Sequence, residues 1–85
     1  MKVYLEYVEE TLFFYLDELN HDLINFLMKY DLWNDERFNN IMIGGLFYNF
    51  VFDFSGNDLI YYYEFINILQ KHNYKFYGLW RERLN

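Results

Sequence analysis

At 85 residues, with a formal net charge of −6, two histidines and no cysteine, the chain is long enough for one domain but has neither disulfides nor a Cys/His metal site to staple it. Such a domain buries only about 60–65% of the surface its unfolded chain exposes, so its stability must come from ten Tyr, ten Phe and two Trp. That many rings exceed what so small an interior can hold, and several are expected outside as contact surface.

The charge is unevenly spread. Residues 1–36 hold nine carboxylates against two lysines, a balance of −7, while residues 37–85 hold four carboxylates against five basic residues, a balance of +1. A negative body repels nucleic acid at long range and favours basic partners, so the partner expected is a basic protein, a nuclease or another nucleic-acid-binding enzyme. The N-terminus MKVYLEYVEE carries carboxylates where a signal peptide needs its apolar stretch. The longest apolar run, Ile41 to Phe54, is interrupted by Gly44, Gly45, Asn49 and Asp53, short of the roughly 20 apolar residues of a membrane helix. A cytoplasmic protein without membrane contact is expected. With four Gly, no Pro, and no repeat or low-complexity tract, residues 1–85 read as a single domain.

Lys2 to Val8 alternates, with Val3, Leu5 and Tyr7 on one side and Lys2, Tyr4 and Glu6 on the other, as a half-buried strand does. Glu9 and Glu10 then suit the positive end of a helix dipole. Leu12, Leu16, Leu19, Leu23, Phe26, Tyr30 and Trp33 follow at alternating four- and three-residue spacing and predict one helical stripe, or two shorter helices if the chain breaks near Asn20 and His21. Asn34-Asp35-Glu36-Arg37 reads as a polar loop. Gly44-Gly45 lies between the apolar runs Ile41-Met42-Ile43 and Leu46-Phe47-Tyr48 and predicts a tight hairpin. In its second strand Leu46, Tyr48, Phe50, Phe52 and Phe54 share one face, and Phe47, Asn49, Val51 and Asp53 the other.

Ser55 and Asp58 form an arrangement close to a capping box, opening a helix of about four turns to Asn73. Its core stripe is Leu59, Tyr62, Ile66 and Leu69, and a second stripe, Tyr61, Phe65, Ile68 and His72, is either sandwiched inside the fold or presented to a partner. Tyr74 to Arg81 alternates as a last strand or extended tail. The order strand, helix, hairpin, helix, strand predicts an α+β fold, a small βαββαβ-type antiparallel sheet with two helices on one face, a mainly helical bundle being the alternative.

Nothing in this inventory assembles a catalytic set. Ser55 is accounted for as a cap, and Thr11 sits in an acidic helix start without a base. His21 with Asp17 at i, i+4 offers too few ligands for a metal. The adjacent pairs Glu9/Glu10, Asp17/Glu18 and Asp35/Glu36 diverge on a helix and do not converge on one substrate atom. No enzyme activity, metal or cofactor is expected. Lys71, Lys75, Arg81 and Arg83, interleaved with Tyr74, Phe76, Tyr77 and Trp80, are the candidate for nucleic-acid contact, a weak one on so acidic a chain.

The stretch Ser55-Gly56-Asn57-Asp58-Leu59-Ile60-Tyr61-Tyr62 resembles the S-G-x-D-L-I-Y-Y segment of the immunity proteins that neutralise DNase colicins. That resemblance covers eight positions and implies a four-helix bundle in which Asp58, Tyr61 and Tyr62 bind the nuclease; the family has Pro where Tyr63 stands here. In size, acidity and lack of motifs the chain is also similar to phage anti-CRISPR and anti-restriction proteins, which block the basic cleft of a nucleic-acid enzyme. The function expected is thus a small acidic inhibitor. In it Glu9, Glu10, Asp17, Glu18 and Asp22 steer association, and Tyr61, Tyr62 and Phe65 anchor it. The alternatives are a homodimeric structural or assembly module and a weak RNA- or ssDNA-binding protein.

Overall fold

A computed structural model describes residues 1–32, 35, 42, 43, 47–56 and 58–78. The described elements are β1 (Lys2–Val8), β2 (Thr11–Leu16), α1 (His21–Lys29), β3 (Met42–Ile43), β4 (Phe47–Asp53), α2 (Leu59–Lys71) and β5 (Lys75–Gly78). The strands form one five-stranded sheet in the order β3-β4-β2-β1-β5. Strand β2 pairs antiparallel with β1 and β4, and β3 pairs antiparallel with β4. The class is α+β, not a helical bundle, so the bundle implied by the immunity-protein resemblance is not the fold observed.

Two features of the expected plait are corrected. The sheet is mixed rather than antiparallel, because β5 runs parallel to β1, with Val3 opposite Phe76 and Tyr4 opposite Tyr77. The helix expected from Leu12 onward begins only at His21, and Thr11–Leu16 is instead the central strand. Leu12 and Leu16 are four apart, a spacing that fits one helical face and one strand face equally well. The residues between and around them, Thr11, Phe13, Phe14 and Tyr15, are β-branched or aromatic and suit a pleated surface. Ladders on both sides of β2 then outweigh any local helical preference. Glu9 and Glu10 accordingly form the two-residue turn between β1 and β2 instead of a helix start, with Glu9 at a left-handed φ of 55°.

The register puts every buried strand residue on one side. Val3 faces Leu16, Leu12 faces Phe52 and Phe14 faces Phe50, and all six are buried. Leu23, Phe26 and Leu27 of α1 and Phe65 and Leu69 of α2 complete the same core, so both helices cover that face, as expected. Phe65 is its hub, with ring centroids 5.0 Å from Phe14, 4.8 Å from Phe50 and 4.9 Å from Phe52. Each ring removed from water in this way is worth about 1.5–3 kcal/mol.

The chain enters α1 through a side-chain cap in which Asn20 Oδ1 accepts the Leu23 N–H at 3.0 Å. Asn20 Nδ2 donates to the Tyr74 hydroxyl at 3.2 Å, and that hydroxyl donates to the Glu18 carbonyl at 2.7 Å, tying the start of β5 to the end of β2. Burial raises the Tyr74 hydroxyl above its ordinary pKa, and the nearby Asp17 and Glu18 add to the rise. The strands expected around Gly44-Gly45 are present as β3 and β4, with the expected faces along β4; the turn itself, Trp33, Trp80, Arg81 and Arg83 lie outside the described residues.

Candidate functional site

The anchors expected from sequence are placed differently from one another. Phe65 is fully buried and is core, not contact surface. Tyr61 is half-buried against Tyr30, their centroids 5.1 Å apart. Tyr62 is also half-buried, against Phe14, Phe52 and Phe54, and this burial pushes its hydroxyl pKa up. Asp58 is buried: it stands at the N-cap of α2 but makes no side-chain cap bond, and its Oδ2 instead accepts the Asp53 N–H at 2.8 Å. Ser55 does not cap the helix either, since its Oγ donates to Asp53 Oδ1 at 2.6 Å.

The phase of α2 explains these differences. Phe65 and Leu69 face the core, whereas Leu59, assigned to the core stripe by spacing, is 44% exposed. On a helix Leu59, Ile60 and Tyr63 fall on one outward flank, because residues three and four apart are neighbours. Ile60 and Tyr63 are 68% and 64% exposed. Sequence reasoning missed Tyr63, Ile60 and Tyr7. The helix is apolar on nearly all sides over its first two turns, so periodicity could not choose the inward flank.

The carboxylates are not grouped. Glu9 and Glu10 sit at one end of β2 and Asp17 and Glu18 at the other, roughly 20 Å away by strand rise. At the second end Asp17 Oδ1 accepts the Lys2 N–H at 2.7 Å. Asp22, in the first turn of α1, reaches across to the end of α2, 2.8 Å from His72 Nε2 and 3.2 Å from Lys71 Nζ. The hydrogen bond to His72, and then that to Lys71, hold the Asp22 carboxyl below its ordinary pKa of 3.8. With Asp17 lying before α1, the i, i+4 helical pair expected for Asp17 and His21 does not form.

The first end is built otherwise. Rings run continuously from Tyr63 to Tyr62 at 5.4 Å, from Tyr62 to Phe54 at 5.1 Å and from Phe54 to Tyr7 at 6.4 Å. The Phe54 N–H donates to the Glu10 carbonyl at 2.8 Å, which sets this run directly beside the Glu9-Glu10 turn. Glu9, Glu10, Thr11, Asp53 and Ser55 line an open depression there. Both glutamates are exposed, and among the described residues neither carboxylate accepts a hydrogen bond. This end therefore combines an apolar aromatic strip with carboxylates that the fold does not use.

The basic and aromatic strip expected near the C-terminus does not form one surface among the described residues. Lys71 is engaged by Asp22, Tyr74 is buried, and Phe76 and Tyr77 alternate to opposite faces of the sheet, where Tyr77 stacks on Tyr4 at 5.2 Å. No group of His, Cys, Asp and Glu side chains with metal-binding geometry occurs among the described residues, and no described helix is long and apolar enough to cross a membrane. Compared with family models, curated proteins and solved structures, the chain matches none.

Proposed function

We propose that the chain is a stoichiometric inhibitor of the immunity or anti-CRISPR and anti-restriction type, which binds a basic surface of a nucleic-acid-acting enzyme and blocks it without chemistry of its own. The observation that carries this reading is the end of the molecule where the ring run from Tyr63 through Tyr62 and Phe54 to Tyr7 adjoins the exposed Glu9-Glu10 turn, with Tyr7, Leu59, Ile60 and Tyr63 each 44–68% exposed. Exposed aromatic and aliphatic anchors beside unused carboxylates are what a surface needs to replace a polyanion on a basic protein. The net charge of −6 adds long-range attraction to such a partner and repulsion from nucleic acid.

The test is affinity capture on the immobilised full chain from a lysate, followed by activity assays on what is retained. A basic nucleic-acid enzyme that loses activity at one equivalent of the chain, with an association rate that falls as salt rises, is the expected result. Retention of an enzyme that stays fully active when saturated with the chain, or retention of nucleic acid itself, overturns the reading.

A further inference from the structure

We infer that the docking surface is the hairpin end of the molecule, Tyr7, Leu59, Ile60 and Tyr63 flanked by Glu9 and Glu10, and that its occupant is a cationic amphipathic segment of the partner, carrying Arg or Lys next to an apolar anchor. The choice of surface stands on geometry and the choice of occupant on charge. At the opposite end Asp17 accepts the Lys2 backbone N–H and Asp22 is paired with Lys71 and hydrogen-bonded to His72, so two of the three carboxylates there already have partners within the fold, and no described aromatic strip flanks the third, the exposed Glu18. At the hairpin end Glu9 and Glu10 project from a turn and have no such bonds among the described residues, leaving their negative potential to a ligand.

The aromatic strip adds the second half of the recognition. Tyr63 and Ile60 stand outward on a helix whose inner flank is locked by Phe65 and Leu69, so the anchors are presented on a rigid element and lose little freedom on binding. A tyrosine face also attracts a cation, most strongly a guanidinium, and its hydroxyl stays wet while the ring is covered. An acidic peptide would meet like charge at Glu9 and Glu10, and so would a nucleic-acid phosphate. A second copy would bring the same pair of glutamates into its own interface, where a two-fold arrangement sets like charges close together. A basic segment with an apolar residue beside its cation satisfies both halves at once.

This surface deepens the inhibitor reading and rests on it only for the nature of the enzyme that carries the segment. The experiment is an amide chemical-shift titration of the full chain with a synthetic peptide alternating Arg and Leu. A peptide with Glu in place of each Arg is the control. Shifts at Tyr7, Glu9, Glu10, Leu59, Ile60 and Tyr63, none at Asp17, Glu18 or Asp22, and none with the control are expected. Tyr63→Ser should weaken the peptide about tenfold, the scale of an anchor lost from an interface. Tyr63→Phe should keep most of the affinity, and the Glu9→Gln/Glu10→Gln pair should weaken binding and reduce its salt dependence.

Shifts mapping to the Asp17 end, undiminished binding by Tyr63→Ser, or equal binding of the acidic control overturn the proposal. So does sedimentation showing a dimer that Tyr63→Ser dissolves, because the surface would then be a self-interface. The two readings fail separately. If a captured enzyme is blocked equally by the chain and by Tyr63→Ser, the surface is wrong and the inhibitor stands; if the peptide binds here while no captured enzyme is blocked, the reverse holds.

Discussion

Asp17 and Asp22 at one end of the β1–β2 hairpin, and Glu9 and Glu10 at the other, come from the same acidic stretch of chain and do different work. The first pair is spent on the fold: Asp17 accepts a backbone N–H of β1, and Asp22 bridges α1 to the end of α2 through Lys71 and His72. The second pair stands on a two-residue turn with no bonds from described side chains. The rings divide along the same line. Phe65 is enclosed by the rings of Phe14, Phe26, Phe50 and Phe52, whereas Tyr63, two residues earlier, is 64% exposed. Net charge and aromatic content are therefore poor guides to a binding surface until one knows which charges and rings the interior has already claimed.

The sharpest way to break this contrast is at the hub. Phe65→Ala should destabilise the chain by about 3–5 kcal/mol, the range for deleting a large ring from a close-packed core, and urea denaturation would measure it. A loss within the scatter of surface substitutions would mean that Phe65 is not the centre of the core and that α2 turns a different flank inward.

A smaller effect belongs to the polar tie at the Asp17 end. Tyr74→Phe removes the hydroxyl that donates to the Glu18 carbonyl and accepts from Asn20, and should cost about 1–2 kcal/mol because it leaves part of that pair unpartnered. The melting temperature of the variant against wild type checks this, and no change would show that water satisfies those groups equally well.

The Asp22 bridge should show itself through pH. Its carboxyl is held below the ordinary 3.8, so the folded chain binds that proton less readily than the unfolded chain does. Its contribution is therefore fully present above 3.8 and disappears as pH falls through the lowered value. Asp22→Asn should melt earlier than wild type at neutral pH, with the two curves converging in strong acid. The group is exposed, so the effect should be modest and should shrink with salt. A gap that persists unchanged in acid would assign the loss to something other than the ionised bridge.

At the other end the expected stability effect is the smallest. Tyr63→Ser should leave the unfolding free energy within about 0.5 kcal/mol of wild type, as surface substitutions usually do, while weakening the bound segment. Substantial destabilisation by Tyr63→Ser would mean that the ring supports the fold and is not held ready for a partner.

Much of the architecture was legible in the residues themselves. The alternation of Val3, Leu5 and Tyr7 located β1 and its faces, and that of Tyr48, Phe50 and Phe52 did the same for β4, because polar Glu6, Asn49 and Asp53 fall on the opposite face and break any helical stripe. The acidic stretch up to Glu36 was equally plain. Three decisions needed the tertiary structure. Leu12 and Leu16 satisfy both periods, so only pairing of β2 with β1 and β4 made that segment a strand. Leu59, Ile60, Tyr61, Tyr62 and Tyr63 are apolar on nearly every side, so only Phe65 closing on Phe14, Phe50 and Phe52 set which flank faced out. The Glu9/Glu10 and Asp17/Glu18 pairs of one acidic stretch were set a full strand apart, and only the folded partners showed that, among the described residues, the Asp17 and Asp22 carboxylates are bonded within the fold while those of Glu9 and Glu10 are not. Local pattern fixes what each segment can be, but burial is a contest among all segments for one small interior, and its outcome is a property of the whole chain.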